Sequence, residues 1–288
     1  MRSLIHSFAM VSVLAWSVGA ELTFVATARQ GGREVDRSDI KFSAIPPRQH
    51  RRHGPPYTNV NATSHADVNT RRDRDNVSYS GNWCGASQHS STSEPISNVF
   101  AYFTAPDLTL RTETPAPQFA AAWVGIDGAN CRKTLLQAGV TTIVNSNGGQ
   151  SASAWWEWYP EAAYTINNLP VKPGDWLSVN ITATTPTTAK IVISNVQRGY
   201  MMVLTITNGP KLCREDAEWI VEDFYDAKGQ VAFASFSDVW FQEAQATTVN
   251  GKKIGIDGAA MVHLQDPDGD VVCTPWKYDN SIFVVSSH

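Results

Sequence analysis

Charged and amide side chains interrupt four of the most apolar segments of this 288-residue chain. A polar group that is held among aromatic and aliphatic side chains is costly unless it is hydrogen-bonded or functional. Any one of these residues taken alone is as readily explained as a solvated position on the outer face of a strand. Together, beside Trp or Leu, they favour one shared polar–aromatic groove. The residues are Asp127 in segment 123–127, Gln137 in 135–139, Glu157 in 155–160, and Glu218 and Glu222 in 218–224.

The other reactive residue types restrict the chemistry of such a groove. Beyond residue 75 the chain has three histidines, and none lies near a candidate nucleophile in the sequence. The chain has no Gly-x-Ser-x-Gly elbow, no His-Glu-x-x-His motif and no Asp-Thr-Gly or Asp-Ser-Gly pair. It also lacks CxxC motifs and Cys/His clusters, so we expect neither a metal nor a cofactor. Catalysis would then rely on carboxylates, amides and hydroxyl groups.

Short runs of β-branched and aromatic residues, separated by Gly, Pro, Asn and Asp, must position these side chains. No window shows helical periodicity over three turns. About 210 residues of this pattern predict an all-β fold, a sandwich of many antiparallel strands. Period-2 alternation places Trp123 on the same strand face as Asp127, and Glu218 on the same face as Glu222.

The N-terminus has the pattern of an export signal. Arg2 is followed by an apolar run and then by small residues at positions 18–20, which predicts a secretory signal peptide over residues 1–20. The run is shorter than the ~20 residues of a membrane-spanning helix. The formal net charge of −4 argues against a nucleic-acid-binding surface. We therefore expect a secreted, extracellular protein with neither nucleic acid nor membrane as a partner.

Residues 21–75 differ in composition from everything that follows. They carry ten basic and seven acidic residues and two Pro pairs, so little in them is expected to form a packed core. Residues 76–288 carry twelve basic and twenty acidic residues. Dibasic pairs at 51–52 and 71–72 favour a basic pro-segment over a flexible linker, and residues 76–288 are then the catalytic domain.

Export permits disulfides and glycosylation. Disulfide use of the cysteines is favoured over a nucleophilic role, because the surroundings of Cys84 do not resemble those of a papain-type cysteine. Three pairings are possible for the four cysteines, Cys84, Cys131, Cys213 and Cys273. Acceptor sequences for N-glycosylation begin at Asn61, Asn76 and Asn180.

Several motifs resemble those of the glutamic peptidases (eqolisins), in order and with compatible spacing from residue 79 to the C-terminus. The resemblance implies a concanavalin A-like β-sandwich of two large antiparallel sheets, with the active site in the concave groove. It also implies a secreted precursor and a mature enzyme that hydrolyses protein or peptide substrates at acidic pH. The motifs are Tyr79-Ser80-Gly81-Asn82-Trp83, segments 122–128 and 135–139, Ala154-Trp155-Trp156-Glu157-Trp158-Tyr159-Pro160, the run 213–224 and Phe233-Ala234-Ser235-Phe236.

Carried over residue by residue, the resemblance assigns the catalytic amide to Gln137 and the catalytic carboxylate to Glu222, with Glu218 as the alternative. It implies a disulfide between Cys131 and Cys213, which leaves Cys84 and Cys273 as the second pair. Thr141 and Ser153 stand where some relatives carry Asp. Positions in the groove near the catalytic pair are assigned to Trp83, Trp123, Asp127 and Glu157.

A Gln–Glu pair suits amide hydrolysis in acid. The reaction needs an activated water and a donor for the developing oxyanion. A His is protonated at low pH, whereas a hydrogen-bonded Glu222 can stay ionised and take a proton from water. The Gln137 amide keeps its N–H donors at every pH. These residue types leave open whether Glu222 acts first as a base or as an acid.

Two other function classes use similar residues. Aromatic-lined β-sandwiches with paired Glu residues also hydrolyse polysaccharides, with Glu157 and Glu222 as the pair and Trp side chains stacked on sugar rings. A lectin of the same architecture would bind sugar without hydrolysis. The Gln137 segment and the basic pro-segment have no evident use in either class, which favours the peptidase.

The charge difference between the two parts of the chain predicts latency. At neutral pH the basic pro-segment would lie over an acidic groove containing Asp127, Glu157 and Glu222, and would act as the enzyme's own inhibitor. Acidification protonates carboxylates with an ordinary pKa of about 4 while Arg stays charged, so the attraction is lost. Cleavage at the dibasic pairs would make the release permanent. We expect the enzyme to be a monomer.

Overall fold

Antiparallel β-strands form nearly all of the regular structure in the computed structural model, which describes residues 21–45 and 76–288. A short 3₁₀ helix covers Arg37–Asp39. The all-β expectation is confirmed. The N-terminal strands are β1 (Thr23–Gln30), β2 (Arg33–Glu34) and β3 (Phe42–Ile45). The others are β4 (Asn76–Ser80), β5 (Trp83–His89), β6 (Ile96–Thr104), β7 (Leu108–Thr109), β8 (Gln118–Ile126), β9 (Leu135–Val144), β10 (Gln150–Tyr159), β11 (Ala163–Ile166), β12 (Trp176–Thr185), β13 (Thr188–Asn195), β14 (Tyr200–Thr207), β15 (Asp216–Glu222), β16 (Tyr225–Asp226), β17 (Gly229–Gln230), β18 (Ser235–Phe236), β19 (Val239–Thr248), β20 (Lys253–Ile254), β21 (Ala260–Gln265), β22 (Val271–Lys277) and β23 (Phe283–Ser287).

Two large sheets pack face to face as a sandwich. The inner sheet runs in the order β3-β11-β10-β9-β8-β15-β5-β21-β4, and its pairs are antiparallel except β21–β4. The outer sheet runs in the order β1-β14-β13-β12-β6-β19. Strands β22 and β23 continue the hydrogen bonding from β19 to β21 along one side. The sheets are therefore linked by pairing on that side.

The main core lies between the sheets, and the inner sheet carries a second apolar face. On β15, Trp219 faces the core and its indole N–H donates to the Phe100 carbonyl of β6 at 2.9 Å. Alternation turns Glu218, Ile220 and Glu222 to the opposite face. A smaller cluster covers that face, which we call the groove face: Trp83, Ala121, Trp123, Ala129, Leu135, Trp155, Ile220, Phe224 and Val262.

Both expected disulfides are present in the structure. Cys84–Cys273 joins β5 to β22, and Cys131–Cys213 joins the loop after β8 to the segment before β15. Of the acceptor asparagines, Asn76 is exposed at the start of β4. Asn180 lies within β12, and its side-chain oxygen accepts a hydrogen bond from Asn98. Glycosylation at both stays a prediction.

Residues 21–45 differ from the expectation that the N-terminal segment has little core of its own. They form β1, β2 and β3, and Phe24 is only 3% exposed within the main core. The physical reason is a short period-2 apolar pattern from Leu22 to Ala28, which the high charge of the whole segment obscures. The signal peptide, both dibasic pairs and Asn61 lie outside the described residues. Within the described part, no helix has the length and apolar character that crossing a membrane requires.

Candidate active site

One cross-strand row on the groove face carries three of the polar residues singled out above. Gln137 of β9 lies opposite Glu157 of β10 on one side and Gly125 of β8 on the other. Gly125 in turn lies opposite Glu218 of β15. The register of four neighbouring strands therefore brings together side chains that are up to 81 residues apart in sequence.

The next row is aromatic and depends on a glycine. It contains Trp155, Gly139, Trp123 and Ile220, in the strand order β10, β9, β8, β15. A Cβ atom on Gly139 would lie 2.5 Å from the Cβ of Trp123 and 2.2 Å from the Ala122 carbonyl oxygen. Glycine at this position therefore leaves room for the Cβ of Trp123 beside β9.

The third row carries Glu222, which ends β15. Glu222 lies opposite Ala121 of β8, Ala121 lies opposite Thr141 of β9, and Thr141 lies opposite Ser153 of β10. Thr141 and Ser153 are the positions at which some glutamic peptidases were expected to carry Asp. In this chain Glu222 is therefore the one acidic residue of the row across β10, β9, β8 and β15.

The Glu222 carboxylate is almost completely buried, at 1% exposure, and receives three N–H hydrogen bonds. Trp83 Nε1 and Asn82 Nδ2 donate to Oε1 at 3.2 and 3.3 Å, and Trp123 Nε1 donates to Oε2 at 2.9 Å. The two indole rings meet edge to face with centroids 5.1 Å apart. An indole N–H can only donate, so both tryptophans favour the ionised form of the carboxyl.

A turn between β4 and β5 delivers two of those donors. The Ser80 hydroxyl oxygen accepts from the backbone N–H groups of Asn82 and Trp83 at 3.3 and 3.1 Å. The Asp223 backbone N–H donates to the Asn82 carbonyl at 2.9 Å. The Gln230 side-chain amide donates both to the Gly81 carbonyl and to Asp223 Oδ2, each at 2.8 Å. The turn is therefore held against the end of β15.

Gln137 is oriented by Glu157. Its Nε2 donates to Glu157 Oε2 at 2.7 Å, and both side chains are buried. A short N–H···O bond to a carboxylate is charge-assisted, and it fixes the plane of the amide as well as its position. Gln137 therefore presents a fixed amide on the same face as Glu222, two strands away.

Asp127 is hydrogen-bonded to the backbone that precedes β15. It follows β8 with a positive φ of 69°, and its two oxygens accept from the backbone N–H groups of Arg214 and Glu215, both at 2.9 Å. Burial raises the pKa of Asp127 to about 6, against the effect of these donors. It also lies close to the sulfur atoms of Cys131 and Cys213, but sulfurs joined in a disulfide are not thiolate ligands, so no metal site follows.

Two further buried acids lie beside Asp127. Asp216 accepts from the Asn130 backbone and side chain at 2.7 and 2.6 Å, and contacts His89 Nδ1 at 3.0 Å. Burial, followed by the charges of Asp216 and Asp127, raises the pKa of Glu218 well above its ordinary value. Glu218 is therefore protonated in acid and cannot act as the ionised base. Sequence reasoning missed Asp216, although its period-2 spacing from Glu218 was a usable signal.

A pocket of about 530 Å³ lies behind the β4–β5 turn, away from Gln137 and Glu222. Asp223 lines it together with Arg111, whose guanidinium lies over the Phe233 ring at 5.9 Å. Burial, and secondly the neighbouring Glu222 charge, raise the pKa of Asp223 to about 8. Asp223 is thus neutral in acid, next to a carboxylate that is held by N–H donors.

Comparison with known proteins decides which family this arrangement belongs to. Residues 81–287 match the model of the peptidase A4 family. The chain belongs to the peptidase A4 family. Aspergillopepsin-2 of Aspergillus niger is 32% identical over 215 residues, which are 68% of this chain and 74% of that protein. Scytalidopepsin B of Scytalidium lignicola is 28% identical over 279 residues, which are 92% of this chain and 94% of that protein.

Solved structures agree with the A4 assignment. Scytalido-glutamic peptidase, in a complex with a peptide-based transition state analog, is 27% identical with a TM-score of 0.63. The match covers 72% of this chain and 98% of that one. Aspergilloglutamic peptidase from Aspergillus niger is 34% identical with a TM-score of 0.55, over 59% of this chain and 99% of that one. The expected resemblance to glutamic peptidases is confirmed, and this A4 protein is a peptidase, a hydrolase of peptide bonds.

The buried acids of this A4 peptidase predict a folded state that is more stable in acid than at neutral pH. Between pH 4 and 8 an unfolded Asp has lost its proton, while folded Asp223 keeps it up to about pH 8. The folded state then binds more protons than the unfolded state does. Because of the Asp223 carboxyl, the free energy of unfolding therefore falls as pH rises. The substitution Asp223→Asn removes this pH-dependent loss of stability. The variant should gain stability relative to wild type between pH 4 and 8, by several kcal/mol at ~1.4 kcal/mol per pKa unit.

Urea unfolding at pH 4, 6 and 8 measures the difference, with both proteins in a Gln137→Ala background that is chosen to limit self-digestion. Asp268→Asn, at an exposed turn, is the matched control and should show no such trend. A constant difference between Asp223→Asn and its background at all three pH values would show that Asp223 is ionised when folded.

Proposed function

We propose that this peptidase is a secreted acid endopeptidase in which Gln137 and Glu222 form the catalytic pair. The observation that carries the proposal is the environment of Glu222, a buried carboxylate that receives N–H bonds from Asn82, Trp83 and Trp123. These donors favour its ionised form at a pH at which ordinary carboxyls are protonated. A base that remains ionised in acid is what acid proteolysis requires.

Hydrolysis then follows from the positions of the two side chains. Glu222 takes a proton from a water molecule as the water oxygen bonds to the scissile carbonyl carbon. The carbonyl oxygen becomes an oxyanion, which an N–H of Gln137 stabilises at any pH. The C–N bond breaks as Glu222 returns its proton to the leaving nitrogen. The products are a new carboxyl group and a new amine, and Glu222 is again ionised.

Glu157 supports this assignment rather than the rival one. A glycosidase would use Glu157 and Glu222 as its two acids, but the Glu157 carboxylate is engaged by the amide of Gln137 at 2.7 Å. The bond makes Glu157 a positioning residue for Gln137. We propose that protein or peptide substrates bind across the groove face over Trp83 and Trp123, while Asp127 holds the backbone before β15.

We also propose that the chain is exported as a precursor and works as a monomer, with residues 1–20 removed and residues 21–75 acting as its own inhibitor. The alignment with scytalidopepsin B covers 92% of this chain, so it extends beyond residues 76–288 into the N-terminal segment. This extent supports the precursor. The proposed contacts with Asp127, Glu157 and Glu222 are not made by residues 21–45, which pair with the sheet edges. Ile45 and Asn76 lie in β3 and β4, at opposite edges of the inner sheet.

The catalytic pair is tested by near-isosteric exchange. Glu222→Gln and Gln137→Glu should each lower cleavage of an unfolded protein substrate by ~10²–10⁴-fold or more between pH 2 and 7, because each removes a group that acts in the transition state. Glu218→Gln is the matched control on the same strand face and should retain activity, because it replaces an already neutral side chain. Activity that survives in a folded Glu222→Gln protein but is lost in Glu218→Gln would transfer the role to Glu218.

Latency is tested on an uncut precursor in which all four arginines of the dibasic pairs are changed to Ala. It should be inactive at pH 7 and gain activity after a shift to pH 3.5, since the attraction to ionised carboxylates is then lost. The separate segment 21–75, added to mature enzyme, should inhibit less as salt is raised. An uncut precursor that is as active at pH 7 as the mature enzyme is at the same pH would contradict inhibition by the segment.

A further inference from the structure

Residues 21–45 connect the free edges of both sheets. Strand β1 pairs with β14, the last strand of the outer sheet in the body, over eight residue pairs. Strand β3 pairs with β11, the last strand of the inner sheet in the body, over four residue pairs. Eleven residues separate the two strands. We call residues 21–45 the edge clip, since they close the side of the sandwich opposite β22 and β23.

The edge clip is anchored by an aromatic side chain in the main core. The Phe24 ring lies 5.0 Å from the Trp156 ring, 5.2 Å from Tyr164 and 5.1 Å from Phe42 of the clip itself. Trp156 belongs to β10, and its neighbours on that strand, Trp155 and Glu157, face the groove. The clip therefore packs behind the strand that positions Gln137.

Further hydrogen bonds join the clip to the body through uncharged groups. The Gly31 N–H donates to the Gly199 carbonyl at 2.9 Å, and the Asn167 N–H donates to the Lys41 carbonyl at 3.0 Å. The hydroxyls of Thr23 and Thr207 share a bond of 2.8 Å. None of these groups titrates between pH 3 and 8.

The charged groups around this contact are few. The acidic and basic side chains of the clip are all exposed, and Arg29 pairs with Glu34 inside the clip at 3.7 Å. Strands β11 and β14 contain no Asp, Glu, Lys, Arg or His. Their tyrosines, Tyr164 and Tyr200, have pKa values raised by burial and secondly by the charges of Glu161 and Asp39, respectively. Acidification therefore changes charges only at the rim.

We propose that the edge clip stays bound to the body of the enzyme, through main-chain pairing and the Phe24 anchor, after the chain is cut between residues 45 and 76 and the pH is lowered. The cut adds one water across a peptide bond and leaves a carboxylate and an amine, without touching β1 or β3. Edge pairing gives affinity through backbone bonds, and the buried ring gives specificity. This proposal does not require that the clip inhibits or that Gln137 and Glu222 are catalytic.

The experiment uses the full chain with a recognition site for an added protease inserted between residues 45 and 76, in a Glu222→Gln background. After cutting at pH 7, native mass spectrometry and size exclusion are run at pH 7 and 3.5, each in 0.1 M and 1 M NaCl. The clip fragment should remain with the body under all four conditions. Hydrogen exchange should show the β14 amides Tyr200–Thr207 equally protected before and after cutting.

Two variants distinguish the contribution of the Phe24 anchor to clip binding from that of charge. Phe24→Ala should weaken binding of the cut clip at least ~100-fold, because truncating a buried Phe removes its packing and leaves a cavity. Arg29→Ala, at an exposed position whose ion pair is internal to the clip, is the matched control and should bind as wild type.

Two results would overturn the proposal. Release of the clip at pH 3.5 or in 1 M NaCl, with retention at pH 7 in low salt, would show that charge holds it. Release under all conditions, with loss of protection in β14, would show that edge pairing alone is too weak. Comparison of hydrogen exchange in the uncut and cut Glu222→Gln protein decides these cases even where Phe24→Ala fails to fold.

Discussion

Several acidic side chains are buried on or beside the groove face of the inner sheet, and each must be either hydrogen-bonded or protonated to remain there. The structure uses both solutions. Glu222 is held by indole and amide N–H groups, and Asp127 by two backbone N–H groups. Glu218, on the same strand face as Glu222, and Asp223, which directly follows Glu222, have strongly raised pKa values.

Other parts of the fold hold the hydrogen-bond donors of Glu222 in position. Gly139 leaves room for the Cβ of Trp123 beside β9, and the β4–β5 turn carries Asn82 and Trp83 to the end of β15. Cys131–Cys213 ties the loop after β8 to the segment before β15. The inner sheet provides the surface, but these few local devices direct the donors to Glu222. A sandwich without them would present the same residues at the wrong distance.

The sequence predicted much of this arrangement, because polar residues within apolar strands are visible without coordinates. Alternation placed Glu222 and Trp123 on strand faces, and the motifs drew attention to Gln137 and Glu222, which the strand register places on one face. The direct indole bonds to Glu222 were not predictable, because they depend on register between strands that are far apart in the chain. The positive φ of Asp127 and its hydrogen bonds to the backbone before β15 were not predictable either. The clip was missed because its short alternating pattern lies within a charged segment.

The proposed mechanism requires that Glu222 is ionised in acid while its neighbour on the same strand face, Glu218, is protonated. Difference infrared spectroscopy at pH 4, on protein with ¹³C-labelled glutamate carboxyls, observes the two forms separately. The account predicts that Glu218→Gln removes a protonated carboxyl band, and that Glu222→Gln removes an ionised carboxylate band. Loss of a protonated carboxyl band in Glu222→Gln at pH 4 would contradict it.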